Sequence, residues 1–287
     1  MKYFFQNRVN IHRIVFIVLM LGGALLVINY LIYIRNQANP KKKMQIVFYD
    51  DFSEEKLDAS KWTTCYEWYS IEFDGCSNNG NKELQWYKSN RVRIQDGNLV
   101  LVASRGITPG WDGKTKKDFY FESGMVSTGR RSSEVQPKWA SSYGRYEARI
   151  KVPSGKGLWP AFWLLPVENT WPPEIDIMEL VGDKPNEILL TYHYDTYPNQ
   201  KKDESKLVGD DFTKDWHIYA IDWQPERIQW FVDEKLVKQA TGKNIPSQPM
   251  QIIFNLAVGG NLAGYPDDTT VLPAEMLVDY VKVEQMN

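Results

Sequence analysis

Glu174-Ile175-Asp176-Ile177-Met178-Glu179 is a short, apolar, β-prone stretch that carries three carboxylates. Side chains alternate between the two faces of a strand, so Glu174 and Asp176 share one face. Strict alternation would turn Glu179 to the opposite face, but one extra residue, a β-bulge at Ile177 or Met178, returns it. We therefore predict a bulged strand that presents all three acids on one face of a sheet.

Three acids on one sheet face repel one another, and such an arrangement suits glycoside hydrolysis with retention. That reaction needs a nucleophilic carboxylate and a protonated carboxyl group roughly 5–5.5 Å apart. On a bulged strand the Glu174 and Glu179 backbones would lie roughly 13 Å apart, and two glutamate side chains leaning together can close most of that gap. Neighbouring negative charge would raise the pKa of the acid. The alternative interpretation is an acidic strand on a solvated face, or a calcium site.

Beyond this stretch, the chain resembles glycoside hydrolase family 16, whose signature is Glu-x-Asp-x-x-Glu in the bulged form typical of laminarinase-like members. The resemblance runs in order and spacing from about Phe48 to Val283. The segments that carry it besides the signature are Asp51-Phe52, Ser60-Lys61-Trp62, Asn81-Lys82-Glu83-Leu84-Gln85-Trp86-Tyr87, Asp96-Gly97-Asn98-Leu99-Val100, residues 143–151, residues 157–166, His193, Trp216-His217, Ile221-Asp222-Trp223 and residues 255–261.

The resemblance implies an all-β, concanavalin-like jelly-roll sandwich with an open cleft, and the residue pattern agrees with it. Short alternating segments are separated by turn residues, with no convincing amphipathic helix between them, which is typical of a sandwich. The alternating segments are residues 91–94, 99–103, 146–152, 188–193, 218–223, 228–232, 252–256 and 276–283. About 240 residues suit one undivided all-β domain, which we place at residues 44–287.

The family signature assigns roles to the acids. Glu174 is expected to attack the anomeric carbon, and Glu179 to protonate the leaving oxygen and then activate water. Asp176 is expected to pair with Glu174 and assist it. His193 follows on the neighbouring segment, where it either hydrogen-bonds a catalytic carboxylate or is a satisfied core residue.

Tryptophan is abundant, with eleven residues in the chain. Its large polarisable face packs well on the C–H face of a sugar ring. Trp159, Trp163 and Trp171 precede the acidic strand, so we place them near the cleft, with Trp171 as the best stacking candidate and Trp163 equally suited to the core. The resemblance places Asn81 at a glycone subsite, and a turn-forming role is its alternative.

The resemblance also implies a structural calcium ion, with Gly97 and Asp279 at the matching positions; Asp279 is otherwise a surface charge. No cofactor is expected to be required for catalysis. Cys65 and Cys76 are the only cysteines. An even count in an extracellular domain permits a disulfide that closes a short loop, and two free thiols are the alternative.

Three positions depart from the family pattern. Pro173 stands before Glu174 where many members have Gly, and Met125 stands where many laminarinase-like members have Arg. Leu262 replaces a common Trp. The last two changes remove expected contacts to the sugar, so they leave the reaction intact and open the question of substrate.

The N-terminal part is a separate element. Residues 14–34 form an uncharged apolar run of 21 residues, long enough for a transmembrane helix. We interpret it as a signal anchor between a short tail (1–13) and a linker (35–43), because a secretory signal has a shorter core and a small-residue cleavage site. Cleavage near Ala38 and secretion is the alternative. Lys and Arg flank the run almost equally, so they do not decide its orientation.

Charge excludes some partners. The first 43 residues contain seven of the chain's 34 basic residues and no acidic one, which leaves 27 basic against 36 acidic residues, a net charge of −9 for residues 44–287. An acidic domain argues against nucleic acid as a partner, whereas a neutral glucan is indifferent to this charge. No protein partner is evident.

The sequence therefore predicts a retaining endo-glycosidase that hydrolyses β-1,3-linked glucan, held at the cell membrane by one helix with its catalytic domain outside. One alternative is a transglycosylase, or a hydrolase of another β-linked polysaccharide such as mixed-linkage glucan or galactan, that uses the same site. A non-catalytic glucan-binding protein is another alternative, which the presence of all three acids disfavours.

Overall fold

The computed structural model describes residues 43–66, 75–130, 135–168, 170–196 and 198–286. Ile46–Gln285 form one compact unit, which holds the sheets and the cleft discussed below. The other unit is Met1–Gln45 with Met286–Asn287, and only residues 43–45 and 286 of it are described. The N-terminal tail, the membrane segment and the linker up to residue 42 lie outside the described residues. Within the described part of the chain, no helix combines the length and apolarity needed to span a membrane.

Two sheets make up the domain. The larger contains β1 (Met44–Asp50), β2 (Gln85–Tyr87), β3 (Val92–Gln95), β4 (Asn98–Trp111), β5 (Lys116–Ser123), β7 (Gly144–Lys151), β12 (His217–Gln224), β13 (Arg227–Val232), β14 (Lys235–Thr241) and β16 (Ala274–Met286). The smaller contains β6 (Met125–Ser127), β8 (Leu158–Pro166), β9 (Glu174–Glu179), β10 (Glu187–Tyr194), β11 (Lys201–Val208) and β15 (Met250–Val258). One helical turn, α1 (Gly260–Ala263), follows β15.

The strand order places the signature strand inside the smaller sheet. That sheet runs β11-β10-β9-β8-β15-β6, with antiparallel pairing throughout. The larger sheet runs β14-β13-β12-β7-β16-β4-β5-β2, with β1 beside β16 and β3 beside β4. β9 therefore has a hydrogen-bonded neighbour on each side, which fixes its backbone more firmly than an edge position would.

The core lies between the two sheets. Inward-facing side chains of the larger sheet, such as Tyr146 and Trp223, belong to the same buried cluster as Phe162, Ile175 and Phe254 of the smaller sheet. Burial alternates along β7 and β13, as expected for strands with one face on the core. The architecture is a sandwich of two packed sheets, so the all-β, jelly-roll-like fold predicted from the sequence is confirmed.

The predicted turn chemistry is also present. Asp96 and Gly97 form a two-residue hairpin loop between Gln95 and Asn98, and both have positive φ, 52° and 70°. This conformation matches the type I′ turn that an Asp-Gly pair favours, because glycine carries no Cβ to clash there. The turn sets the register of β3 against β4.

All eight alternating segments coincide with observed strands, with Arg91 and Val152 one residue outside β3 and β7, but other strands gave no period-2 signal. β8 is buried at every position, so hydrophobic residues occur on both of its faces. β15 is also buried throughout, although alternation was predicted for its residues 252–256. β11, with the sequence Lys-Lys-Asp-Glu-Ser-Lys-Leu-Val, is an exposed edge strand of the smaller sheet. Charged residues are typical of such an edge because they discourage pairing with another chain.

Candidate active site

A β-bulge in β9 brings the three acids to one face. Relative to β8, Phe162 pairs with Met178 and Trp163 with Asp176, so Ile177 is the extra residue. Ile177 and Met178 are consecutive, yet both belong to the core between the sheets. Because two consecutive side chains face the core, Glu179 returns to the same face of the strand as Glu174, and the predicted bulge is confirmed.

The acids open into a cleft of about 610 Å³ on the outer face of the smaller sheet. Glu174 and Glu179 both line this cleft, and a recess of about 50 Å³ that shares them also reaches Asp176. The other residues that line the cleft are Asn78, Gly80, Asn81, Trp159, Trp163, Leu165, Thr170, Trp171, Thr191, His193, Lys202, Glu204 and Leu262. A cleft of this size, with a few polar groups among aromatic rings, has the character of a ligand site.

His193 lies between two of the acids. Register places it directly opposite Glu174 on the neighbouring strand β10. Its Nε2 is 3.3 Å from Asp176 Oδ2 and 3.5 Å from Glu174 Oε1. The structure thus places His193 at the cleft rather than in the core. Its imidazole interacts with the Asp176 and Glu174 carboxylates through electrostatics.

The electrostatics favour one shared proton in the Glu174–Asp176 pair. Burial raises the pKa of both carboxyls well above their usual ranges, Asp176 adds to the shift of Glu174, and Glu179 adds to that of Asp176. His193 opposes the shift in the pKa of Glu174. Two adjacent buried carboxyls cannot easily both ionise. Asp176 is the more buried of the two, so we expect it to hold the proton and Glu174 to carry the charge.

Glu179 is the acid whose environment suits proton donation near neutral pH. Burial raises its pKa to about 7, although a hydrogen bond from Trp159 opposes the shift. Trp159 Nε1 donates to Glu179 Oε1 at 2.9 Å. The sequence placed Trp159 near the cleft as a surface for sugar rings, and the structure also shows it hydrogen-bonded to the acid.

Replacing Trp159 with Phe is expected to move the pKa of Glu179 upward, because the indole donor stabilises the carboxylate. We expect the basic limb of the pH–activity profile to shift to higher pH, with turnover falling by about tenfold, the equivalent of one charged hydrogen bond. Trp163→Phe is the matched control, because the Trp163 indole donates instead to Asn255 Oδ1, at 2.7 Å. A limb that stays in place in Trp159→Phe, or moves equally in both variants, contradicts this role.

A buried polar network, not singled out as functional from the sequence, supports the cleft. Glu83 accepts hydrogen bonds from Gln85 Nε2 (2.6 Å), Asn81 Nδ2 (3.2 Å) and the Tyr87 hydroxyl (3.3 Å). Burial raises its pKa to about 7. Asn255 Nδ2 also donates to the Tyr87 hydroxyl, at 3.0 Å. The network therefore orients the Asn81 amide, and the spacing Asn-x-Glu-x-Gln was the signal that could have revealed it.

Residues of the larger sheet brace the bulge from below. Trp230 Nε1 donates to the Asp176 carbonyl at 2.9 Å. Lys238, buried at 7% exposure, donates to the Leu190 carbonyl at 2.8 Å and contacts Asp203 Oδ1 at 3.2 Å. Leu190 lies where β10 faces the bulge of β9. A lone lysine in an alternating strand gave no signal in the sequence that it would be buried.

Lys238→Met is expected to lower the free energy of unfolding by about 1–3 kcal/mol, since it leaves buried backbone carbonyls without their donor. Relief of the buried charge offsets part of this loss. Denaturant unfolding of the variant beside Lys235→Met, an exposed lysine of the same strand, measures the effect. Equal midpoints for both variants would show that Lys238 does not brace the sheet.

The remaining predicted site residues occupy different positions. Trp171 is 52% exposed at the cleft, with its ring centroid 5.8 Å from that of His193. Trp163 is buried at 8% exposure and contributes both to the cleft lining and to a small apolar cluster. Asn81 also lines the cleft. Met125 is fully buried in the same apolar cluster as Trp163, whereas Leu262 lines the cleft.

The predicted calcium positions lie away from this cleft. Gly97 is in the β3–β4 turn, and the neighbouring strand residues Leu99 and Val278 pair in register, which brings Asp279 to the same region. Asp279 Oδ2 accepts a hydrogen bond from Arg149 Nη1 at 2.8 Å. Among the described residues, the side-chain cluster with metal-ligand spacing is Glu174, Asp176 and His193. Cys65 and Cys76 are joined by a disulfide.

Comparison with known proteins identifies relatives over most of the domain. The model of the glycosyl hydrolases family 16 matches residues 79–282. Endo-1,3-1,4-beta-glycanase EglC of Rhizobium meliloti is 34% identical over 258 residues, which are 84% of this chain and 51% of EglC. The beta-glucanase of Rhodothermus marinus is 34% identical over 265 residues, 83% of this chain and 84% of that enzyme. The chain thus spans about half of one relative and most of the other.

Solved structures show the same fold. The endo-beta-1,3-glucanase from Pyrococcus furiosus superposes with a TM-score of 0.71 at 33% identity, covering 86% of this chain and 96% of that one. The laminarinase catalytic domain from Thermotoga petrophila gives a TM-score of 0.71 at 28% identity, covering 86% and 99%.

Proposed function

Because the chain belongs to the glycosyl hydrolases family 16, we propose that it hydrolyses β-1,3-linked glucan within the chain, with retention of anomeric configuration. The observation that carries this proposal is the bulge of β9. It brings Glu174 and Glu179 into one cleft in two different electrostatic environments. Two carboxyls with distinct environments are what a nucleophile and a general acid require.

In the first step, Glu174 attacks the anomeric carbon and forms a covalent glycosyl-enzyme while Glu179 gives its proton to the departing glycosidic oxygen. Protonated Asp176 donates a hydrogen bond toward Glu174, so the pair carries one negative charge, on the nucleophile. The proton stays on Asp176 while the negative charge of Glu174 is consumed in the new bond. His193 lies against both carboxylates and helps to hold them in place.

In the second step, Glu179 acts as a base. It takes a proton from water as the water attacks the glycosyl-enzyme, which restores the acid and releases a product of the original configuration. A pKa of about 7 suits both roles, since the group can be protonated before the first step and reprotonated during the second. Asn81, Trp159, Trp163 and Trp171 are proposed to bind sugar rings along the cleft.

Cleft charge favours a neutral polymer. Glu174, Asp176, Glu179 and Glu204 surround the cleft or its recess. Lys202 is the lysine that lines the cleft among the described residues, and Glu204 Oε2 lies 2.7 Å from its Nζ. A sulfated or carboxylated chain would meet uncompensated negative charge here.

Transglycosylation is the second candidate, because the same intermediate can react with a sugar hydroxyl instead of water. Leu262 in the cleft, where many members have Trp, favours neither outcome but alters sugar contacts. A non-catalytic binding protein is disfavoured, since such a protein needs neither the paired acids nor the bulge that aligns them.

A panel of laminarin, lichenan, xyloglucan, agarose and carrageenan tests the proposal. The full-length chain is expected to release oligosaccharides from laminarin, and Glu226→Gln, an exposed turn residue, is expected to behave as the parent. Cleavage of another polymer instead would change the assigned substrate and leave the proposed mechanism standing. With a laminarin oligosaccharide as the substrate, products longer than that oligosaccharide would establish transglycosylation. No release from any polymer would overturn the enzymatic proposal.

The membrane anchor is a separate proposal, supported by the apolar run at residues 14–34. The full-length chain is expected in the membrane fraction after alkaline extraction, and a variant without residues 14–34 in the supernatant. External protease should reach the catalytic domain in intact cells. A soluble, N-terminally shortened product would instead establish cleavage and secretion.

We also propose a structural calcium ion held by the Gly97 carbonyl and Asp279. Asp279 keeps one carboxylate oxygen that is not used by Arg149, and carboxylate and carbonyl oxygens are the ligands that Ca²⁺ prefers. Added calcium is expected to raise Tm by several degrees, since about 100-fold excess over Kd contributes about 2.7 kcal/mol. Asp279→Asn should lose most of this gain, and an unchanged Tm in the parent with chelator would rule the site out.

A further inference from the structure

Glu174, Asp176 and His193 bring three atoms that can bind a metal ion close together in the cleft. One ligating atom from each of the three side chains lies within 4.8 Å of the others. His193 Nε2 lies 3.3 Å from Asp176 Oδ2 and 3.5 Å from Glu174 Oε1. The three residues come from adjacent strands inside the smaller sheet, so their backbones are fixed relative to one another.

The two separations from His193 match the edges of a metal tetrahedron, and the third lies within 4.8 Å. Zn²⁺ binds imidazole nitrogen and carboxylate oxygen at about 2.0–2.1 Å in tetrahedral sites, which places neighbouring ligand atoms about 3.3–3.4 Å apart. The two measured edges of 3.3 and 3.5 Å agree with that spacing. One imidazole and two carboxylates would leave a fourth position toward the cleft.

Asp176 supplies an independent sign of an unmet interaction. The residue is 3% exposed, and its Oδ2 has no hydrogen-bond partner among the described residues. This oxygen is the one that points at His193 Nε2. A buried polar atom without a partner costs free energy, and a cation between the two groups would satisfy it.

We propose that Glu174, Asp176 and His193 form a binding site for one divalent transition-metal ion such as Zn²⁺, and that the bound ion blocks the cleft. The ligand set includes nitrogen and has few oxygens, so Ca²⁺ and Mg²⁺ fit poorly. The side chains of Glu174 and His193 remain 18% and 23% exposed, which gives an ion in the cleft access to the site.

The inhibition of catalysis by the ion rests on the proposed glycan hydrolysis, whereas binding of the ion does not depend on that function. A metal ion coordinated by Glu174 would withdraw the carboxylate lone pair that attacks the anomeric carbon. It would also occupy the space in front of His193 that a sugar must enter. The ion and the glycan are therefore expected to compete, and a chelator to reverse the effect.

Titration calorimetry of the metal-free full-length chain with Zn²⁺ tests binding without any glycan. We expect one tight site at neutral pH, with Ca²⁺ and Mg²⁺ giving no comparable heat. His193→Gln and Asp176→Asn should each weaken binding by at least about tenfold. Glu179→Gln removes an acid from the same cleft but no ligand, so it should retain the site.

A second histidine gives a further control, because His217 Nδ1 lies 2.8 Å from Asp233 Oδ2 on the larger sheet. Co²⁺ bound to the parent should show the intense visible bands of tetrahedral coordination, lost in His193→Gln and kept in His217→Gln. Loss only in His217→Gln, or equal binding by His193→Gln and the parent, would overturn the site. Zn²⁺ binding with no glycan hydrolysis by the metal-free parent would keep the site and refute the proposed function instead.

Discussion

Glu174→Gln is expected to bind oligosaccharide as the parent does and to lose turnover on laminarin by at least about 10³-fold, since double displacement offers no other covalent route. The substitution keeps the shape of the side chain and removes its charge. Because burial and Asp176 already raise the pKa of Glu174, a neutral group at this position should not destabilise the fold. Initial rates and a binding isotherm, measured on the same preparation, separate the two effects.

Azide distinguishes the nucleophile from any other essential acid. Glu174→Ala leaves a space on the face from which the nucleophile attacks, so azide should enter there and give a glycosyl azide of inverted configuration from an activated aryl glycoside. In Glu179→Ala the glycosyl-enzyme still forms, and azide should then give the retained configuration. A glycosyl azide of retained configuration from Glu174→Ala would mean that Glu179 is the nucleophile and Glu174 the acid. Full activity in Glu174→Gln would refute this mechanism.

The bulge was predictable from the sequence because parity is a local property. Glu174 and Asp176 are two residues apart, whereas Glu179 is at an odd spacing, so the three acids share a face only with one inserted residue. The pairing of Phe162 with Met178 and of Trp163 with Asp176 places that insertion at Ile177. Alternation likewise located eight of the strands, although residues 99–103 and 252–256 are buried on both faces.

Interactions across the sandwich were not predictable in this way. Trp230 lies far from β9 along the chain, and Lys238 lies far from β10. Each meets its partner strand only because the two sheets pack face to face. Lysine is rarely buried, so nothing local indicates the carbonyls that Lys238 binds. The position of Trp159 beside the cleft was predicted, but its hydrogen bond to Glu179 depends on side-chain geometry that spacing does not encode.

Fully buried strands show a third limit. β8 contributes Trp159 and Trp163 to the cleft and Phe162 to the core, yet its apolar run has no period-2 signal. Hydrophobic residues on both faces arise because one face packs on the core and the other forms the floor of the cleft. The sequence therefore located these tryptophans near the acids but did not reveal that both are buried, at 8% exposure.

Glu179→Gln is expected to lower kcat/KM on laminarin by about 10²–10⁴-fold, the range that general acid catalysis contributes. A dinitrophenyl glycoside should be far less affected in the first step, because its leaving group needs no proton. The parent should lose activity as pH rises through about 7, since burial raises the pKa of Glu179 to that value and only the protonated acid supports cleavage.

The pH profile of the variant distinguishes an acid from a structural residue. Without a titrating group at 179, the basic limb near pH 7 should disappear while the acidic limb, which reports ionisation of the Glu174–Asp176 pair, remains. A residue that merely holds the cleft in shape would lower activity equally at every pH and for every leaving group. A variant that keeps the basic limb near pH 7 would therefore assign that proton to another group, for which Glu83, also with a pKa of about 7, is the first candidate.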